Sequence, residues 1–173
     1  MSQNKPKKLL NIIFFLSIVG ILISGYLTYI HYSKNSSPCD VSTTLSCSTV
    51  NRSKYAEILG IPVALIGLLG YFLLWLLSLL LLKQEYWTKK FQENSSLKKI
   101  FTKIISEKFI FHFSLLMLLF SFYLSYAEFF LLQAICILCV GSQLTILGVT
   151  IVSYRSLQYR GELNEYNQKE FQN

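Results

Sequence analysis

The longest apolar run in the sequence, residues 109–152, is the feature that most limits how this chain can fold. Glu128 is the only Asp, Glu, Lys or Arg within it. A helix that crosses the hydrocarbon core of a bilayer needs about 20 residues, so the run is long enough for two spans joined by a turn. Because Glu128 and Gln133 form its main polar cluster, we expect the turn near residues 129–132.

The composition indicates a membrane protein, with 53% hydrophobic and 14% charged residues, against about 25% charged in soluble domains. The sequence therefore predicts an all-α membrane protein, a four-transmembrane-helix bundle. A single transmembrane domain over residues 1–155 precedes a polar cytoplasmic tail over 156–173. The four predicted spans cover about residues 9–30, 61–82, 109–130 and 133–154. The first exceeds the usual signal-peptide core of about 7–15 residues, and no Ala-x-Ala pattern follows, so we expect it to be retained.

A polar segment with Cys39 and Cys47 separates the first two predicted spans. We expect a short amphipathic helix over 48–59, capped by Ser48 or Thr49, that forms a lid across one end of the bundle. Pro62 fits the first turn of the second span, where no backbone donor is needed.

Basic residues predict the orientation of the bundle in the membrane, because cytoplasmic loops are enriched in Lys and Arg. Three precede the first span, seven lie between the second and third, three follow the fourth, and three lie in the cysteine loop. The central seven are Lys83, Lys89, Lys90, Lys98, Lys99, Lys103 and Lys108, and those of the cysteine loop are Lys34, Arg52 and Lys54. Both termini are therefore predicted to be cytoplasmic, in a bacterial inner membrane, and all four cysteines extracytoplasmic. Topology explains the net charge of +7 more simply than nucleic-acid binding does.

Cys136 and Cys139 form a CxxC motif in the first turns of the fourth predicted span. Such a pair is a redox signature, but it is also half of a zinc site. A second pair on a polar loop at the same membrane surface favours thiol–disulfide exchange between the pairs. Two alternatives remain: a membrane scaffold stabilised by a four-cysteine zinc site, and a transmembrane redox carrier that moves reducing power outward. A carrier would need cysteines near the midplane.

The sequence resembles bacterial homologues of vitamin K epoxide reductase over about residues 10–152. The residues that carry the resemblance are Gly25-Tyr26-Leu27-Thr28-Tyr29, Cys39-Asp40, Ser46-Cys47-Ser48, Ser53-Lys54-Tyr55, Gly60-Ile61-Pro62, Gly67-Leu68-Leu69-Gly70-Tyr71, Tyr123-Leu124-Ser125-Tyr126-Ala127-Glu128 and Cys136-Ile137-Leu138-Cys139. The order, with the loop pair first and CxxC at the fourth span, differs from that of DsbB-type thiol oxidases, which carry CxxC in the first outer loop.

The resemblance implies a quinone-dependent thiol oxidoreductase that generates disulfides in exported proteins, with ubiquinone or menaquinone as the acceptor. By analogy with the family, Cys39 exchanges with a thioredoxin-fold (DsbA-like) partner and Cys47 attacks Cys136. Cys139 then faces the quinone, with Ser53 near it. Many bacterial homologues carry a fused thioredoxin-like domain. This chain ends about 20 residues after the fourth predicted span, so we expect the partner to be a separate protein.

Two further polar residues of the predicted third and fourth spans are candidates for the quinone site. Glu128 is an ionisable group near the cysteines, and it fits either a proton relay to the quinol or a side chain that reaches the headgroups. Gln143 lies one helical turn beyond Cys139, and it fits either a quinone contact or a hydrogen bond to another helix.

Overall fold

The structure, a computed structural model, describes residues 4–33, 37–42, 44–83 and 107–172. The basic residues Lys34, Lys89, Lys90, Lys98, Lys99 and Lys103 used for the orientation lie outside this part of the chain. The α-helices are α1 (Asn4–Tyr32), α2 (Cys47–Asn51), α3 (Val63–Leu82), α4 (Glu107–Tyr126) and α5 (Ile137–Gln172). A 3₁₀ turn (Lys54–Ala56), an antiparallel pair of short strands, β1 (Glu57–Ile58) and β2 (Ile61–Pro62), and a π-helix (Ala127–Leu132) complete it.

Four helical segments in the described ranges are long and apolar enough to cross a membrane. They are Lys7–Tyr32, Val63–Leu82, Glu107–Leu132 and Ile137–Tyr159. This confirms the predicted four-span, all-α bundle. The second span begins at Val63 rather than residue 61, because Ile61 and Pro62 form β2 and Pro62 caps α3. Helix α5 continues beyond the fourth predicted span, through most of the predicted tail.

Helix α1 packs between α3 and α5, and α4 packs on α5, whereas α3 and α4 touch each other little. Small residues make the α1–α3 contact close, as expected for helices that pack in lipid. A Cβ atom on Gly20 would collide with the ring of Tyr71, whose side chain is fully buried. Tyr71 belongs to the main core, together with Leu10 and Ile13 of α1 and Val149 of α5.

The predicted turn near residues 129–132 is wrong. Those residues continue the third span as the π-helix, and the chain reverses over residues 133–136, where Gln133 adopts a left-handed conformation (φ 49°). The fourth span accordingly begins at Ile137 and not at residue 133. Polarity does not locate the turn, because only Gln133 of the polar cluster lies there, whereas Glu128 is buried inside the protein.

The segment between α1 and α3, residues 37–42 and 44–62, covers one end of the bundle and is called the lid here. The predicted helix over residues 48–59 is wrong in extent, since α2 ends at Asn51 and the chain continues as the 3₁₀ turn and β1. Its cap is Ser46, whose Oγ accepts a hydrogen bond from the Thr49 backbone N–H (3.1 Å). Ser48 is not the cap, because its hydroxyl donates to Asp40 instead (2.6 Å).

Candidate redox site at the lid end of the bundle

All four cysteines lie close together where the lid covers the helix bundle. Cys39 and Cys47 form a disulfide, and Cys136 and Cys139 are free thiols. Cys47 and Cys136 both have an exposed fraction of 0% and belong to one buried cluster, against which Cys39 and Cys139 pack. The two pairs that the sequence placed on one side therefore lie together in a water-poor environment.

A short backbone pairing aligns the lid with the segment before α5. Ile135 N–H donates to Thr44 O (2.7 Å), and Ser46 N–H donates to Ile135 O (3.2 Å), so Leu45 and Ile135 form a parallel bridge. Cys47 lies two residues after Leu45, and Cys136 directly follows Ile135. The bridge thus holds together the two segments that lead to the buried cysteines, which share one cluster.

The carboxylate of Asp40 fixes the part of the lid that carries Cys39. Its Oδ2 accepts from Ser37 N–H (2.7 Å) and Ser48 Oγ (2.6 Å), and its Oδ1 accepts from Ser46 Oγ (2.9 Å) and Ser48 N–H (3.0 Å). These bonds, that from the Ser48 hydroxyl above all, hold the pKa of Asp40 well below its usual range. Sequence reasoning missed this role, although the serines on both sides of Cys47 were a signal for it.

The CxxC motif straddles the beginning of α5. Cys136 precedes the helix, and its Sγ accepts a hydrogen bond from the backbone N–H of Cys139 (3.2 Å), as a capping side chain does. The Sγ atom therefore lies where the unpaired N–H groups of a helix stabilise negative charge. Both cysteines were predicted to lie in the first turns of the fourth span. The structure places Cys139 in the first turn of α5 and Cys136 just before the helix.

Glu128 faces the cysteines from the π-helix. It is only 6% exposed, its Oε2 accepts from the Cys136 backbone N–H (3.3 Å), and its carboxylate interacts with the Cys139 side chain. Of the two interpretations open from the sequence, a side chain that reaches the headgroups is therefore wrong. Glu128 lies inside the site, next to both thiols.

A cavity of about 460 Å³ lies beneath the lid, and Cys139 lines it. That volume is in the range of small-molecule sites. Its lining is mostly apolar, with contributions from α1, the lid, α3, α4, the π-helix and α5. Ser53 also lines it, and Ser53 Oγ is buried with no hydrogen-bond partner in the described part of the chain. A buried hydroxyl without a partner is costly, so this atom is suited to a polar atom of a ligand.

The cavity extends between α3 and α4, the two neighbouring helices that pack least closely. Ile66 of α3 and Leu116 of α4 line it, and both side chains are also exposed on the outside of the bundle. Met117 of α4 fills the space beside Gly70 of α3 deeper in. The cavity therefore borders the part of the bundle where α3 and α4 pack least closely.

Gln143 is not among the residues that line the cavity. Its Oε1 accepts a hydrogen bond from Ser125 Oγ (2.6 Å), so it joins α5 to α4, as the helix-bonding alternative predicts. Ser125 and Ser142 do line the cavity, and Tyr71 Oη donates to Ser142 O (2.7 Å). Neither serine was predicted to be a site residue, since Ser125 is only part of a motif that carries the family resemblance and Ser142 is part of none.

Three residues fasten the lid to the end of α1. His31 Nδ1 lies 2.7 Å from Asn51 O, and His31 Nε2 lies 3.4 Å from Glu57 Oε1. Arg52 donates to Ile30 O (3.2 Å), and Asn51 Nδ2 donates to Leu27 O. Arg52 therefore has a structural role, although its side chain is exposed.

The geometry bears on the two alternatives to a redox relay. A four-cysteine zinc site would need four thiolates, but two of these sulfurs are joined in the disulfide. Within the described ranges, no group of three His, Cys, Asp or Glu side chains is arranged to hold a metal ion. A transmembrane carrier would need cysteines accessible from both ends of the bundle, and here all four lie at the lid end.

Four membrane-spanning helices, a lid disulfide and a buried CxxC beside an apolar cavity define a membrane protein built for thiol–disulfide exchange. A model of the vitamin K epoxide reductase family matches residues 11–154, and the chain belongs to that family. The family consists of membrane thiol oxidoreductases, which in general use quinones. A comparison with curated proteins gave no match.

Proposed function

We propose that this protein is a quinone-dependent thiol oxidoreductase that generates disulfides in exported proteins. It reoxidises a separate thioredoxin-fold (DsbA-like) partner and passes the electrons to membrane quinone. The observation that carries the proposal is the order of the sulfurs from the surface to the cavity. Cys39 is partly exposed, Cys47 and Cys136 are buried side by side, and Cys139 lines the cavity.

The thiol steps follow this order. A partner thiolate attacks Cys39 Sγ and breaks the lid disulfide, which leaves Cys47 as a thiolate. Cys47 attacks Cys136 Sγ of an oxidised Cys136–Cys139 pair and releases Cys139 as a thiolate. The partner's second thiolate then displaces Cys39, so the partner leaves with a disulfide.

The cycle closes when Cys39 attacks Cys47 Sγ and releases Cys136. The lid disulfide is restored, and the CxxC pair holds the two electrons that came from the partner. This pairing, a lid disulfide beside two free thiols, is the one present in the structure, which supports the proposed sequence of steps.

The residues around the cavity fit a quinone. A bound quinone would accept two electrons and two protons, and the chemistry of the site suits both ubiquinone and menaquinone. The apolar walls suit its ring and tail, the gap between α3 and α4 suits entry from the bilayer, and Ser53 Oγ offers a hydrogen bond to a carbonyl oxygen. Cys139 is the thiol that donates the electrons.

The proposed location is a bacterial inner membrane, with the lid on the extracytoplasmic side and both termini in the cytoplasm. The distribution of Lys and Arg supports this orientation. An oxidising compartment at the lid would also allow disulfides to persist in the exported proteins.

The test is quinone reduction by the purified protein in lipid nanodiscs, with a reduced thioredoxin-fold dithiol protein as the electron donor and ubiquinone or menaquinone as the acceptor. We expect the quinone absorbance to change in step with oxidation of the donor. Cys139→Ala should abolish the reaction. Continued quinone turnover by that variant would show that Cys139 is not the electron donor, and no turnover by the wild type would refute the proposed function.

A further inference from the structure

The site contains one buried carboxylate that the thiol steps do not use. The π-helix determines its position, because its wider turn directs Ala127 and Glu128 inward, while the next residues, Phe129 and Phe130, remain exposed. π-helical turns of this kind are found frequently at functional sites. The backbone N–H of Cys136 then holds the Glu128 carboxylate through Oε2.

Glu128 is the only carboxyl group among the described residues that line the cavity. It also interacts with the side chain of Cys139. Glu128 and the thiol that gives up electrons therefore line the same space, in which an acceptor would bind. The hydrogen bond that holds it comes from a backbone N–H, and this donor remains in place whichever sulfurs are oxidised.

We infer that Glu128 is the catalytic acid–base group of the CxxC oxidation step. This inference rests on the proposed function and extends it. The carboxylate takes the proton from the Cys139 thiol as the sulfur gives up electrons, and the resulting carboxylic acid delivers that proton to the acceptor oxygen in the cavity. In this inference, the Glu128 carboxylate exchanges a proton with both the Cys139 sulfur and the acceptor oxygen without leaving its position.

The step balances as follows. Two thiols, Cys136 and Cys139, lose two electrons and two protons and become joined by one S–S bond. The acceptor quinone gains two electrons and two protons and becomes the quinol. Glu128 is a carboxylate before and after the step. Having delivered the first proton, it is available for the second, which leaves the Cys136 thiol at the same helix end.

The variant Glu128→Gln separates proton transfer from a positioning role. The glutamine Oε1 can still accept the hydrogen bond from Cys136 N–H, whereas the amide cannot carry a proton. The matched control is Glu107→Gln, because Glu107 is also buried in the third span and accepts a hydrogen bond from Ser156 Oγ (3.0 Å) at the opposite end. Both variants remove one buried carboxylate from the same span.

The first measurement is the oxidation of pre-reduced protein by quinone in a stopped-flow instrument. We expect Glu128→Gln to slow this half-reaction roughly 100-fold or more, in keeping with the loss of a general acid–base group. The contribution of Glu128 to the pH dependence of the wild-type rate should be lost as well, which leaves the contribution of the thiols. Glu107→Gln should oxidise at close to the wild-type rate. A wild-type rate in Glu128→Gln would overturn the inference.

The second measurement needs no quinone. Only the thiolate reacts with iodoacetamide, so the rate of Cys139 alkylation against pH reports its ionisation, with the labelled sulfur located by tandem mass spectrometry. A carboxylate in contact disfavours a second negative charge, so the alkylation midpoint should lie about one pH unit or more lower in Glu128→Gln than in the wild type. An unchanged midpoint would show that the Glu128 carboxylate does not act on the Cys139 sulfur, and that result would also overturn the inference.

The measurements distinguish an error in the proposed function from an error in the acid–base role of Glu128. If the wild type reduces no quinone, the proposed function is wrong, and the acid–base role falls with it. If the wild type reduces quinone and Glu128→Gln does so equally fast, the proposed function stands and the acid–base role is wrong.

Discussion

The hydrogen bonds of Asp40 make the replacement Asp40→Asn a sensitive test of how the lid is held. An asparagine Oδ1 can keep the two donors on one side, Ser46 Oγ and Ser48 N–H. Its amide group would then face the other two, Ser37 N–H and Ser48 Oγ, which donate to Oδ2 in the wild type. Two charge-assisted hydrogen bonds are lost, and two become neutral and weaker.

The expected loss of local stability is about 2–3 kcal/mol. Hydrogen bonds to charged groups contribute roughly 1.5–3 kcal/mol each. We take the value of little more than one of them, because the site is partly exposed and such contributions do not add. Since 1.4 kcal/mol corresponds to a factor of ten, amide exchange around residues 37–48 should become about 30- to 150-fold faster.

Hydrogen exchange read by mass spectrometry measures this directly. The control is Thr44→Ala, because Thr44 is an exposed lid residue whose hydroxyl is bonded to Ser42 Oγ (3.1 Å) and not to Asp40. Unchanged exchange in Asp40→Asn would refute the reasoning. The pH dependence gives an independent check. The pKa of Asp40 is depressed in the folded lid, so its stabilisation is fully present above the unfolded value of about 3.9 and is lost as the pH falls below it. Asp40→Asn should lack that loss.

Three further predictions follow from the site and the core. Cys39→Ala should still react with small dithiols such as dithiothreitol but not with the protein partner; loss of both activities would mean that Cys39 does more than exchange with the partner. Gly20→Ala should lower the stability by about 1–3 kcal/mol, because its Cβ collides with the Tyr71 ring. Gly25→Ala, whose Cβ would meet only an ordinary contact at 3.9 Å, should not, and equal thermal stability of the two variants would contradict this. Ser53→Ala should raise the KM for quinone about 2- to 10-fold, the value of one hydrogen bond, without slowing oxidation of the partner by the lid disulfide; an unchanged KM would exclude the contact.

The spans and the meeting of the cysteines could be predicted because they depend on summed properties of the chain. Length and hydrophobicity determine the spans. Two spans, the second and the third, separate the cysteine pairs, and an even number of crossings brings both pairs to the same end of the bundle. The turn was misplaced because Glu128 and Gln133 look alike in sequence. Glu128 lies in the buried site and Gln133 lies in the turn, and only the packing distinguishes these two environments.

The lid was the part least accessible from the sequence. Its helix begins at Cys47 because Ser46 is the cap, whereas the Ser48 hydroxyl binds a carboxylate eight residues earlier. The helix ends at Asn51, because the chain continues as the 3₁₀ turn and β1. Helical periodicity carries no information about such a contact. Similarly, Ser53 was identified through the family resemblance, whereas Ser125 acquires its position from a partner on another helix.

The position of Glu128 in the π-helix, facing the thiols, makes the third span sensitive to length rather than to composition. A residue of an α-helix advances the chain by about 100° around the axis, so removing a single residue upstream of Glu128 within the span would turn its carboxylate away from Cys139 and toward lipid. Replacing exposed residues such as Phe129 or Phe130 by other apolar residues leaves that angle unchanged. The rotational setting of one helix, more than the identity of the residues around it, therefore decides whether a carboxylate meets the thiols.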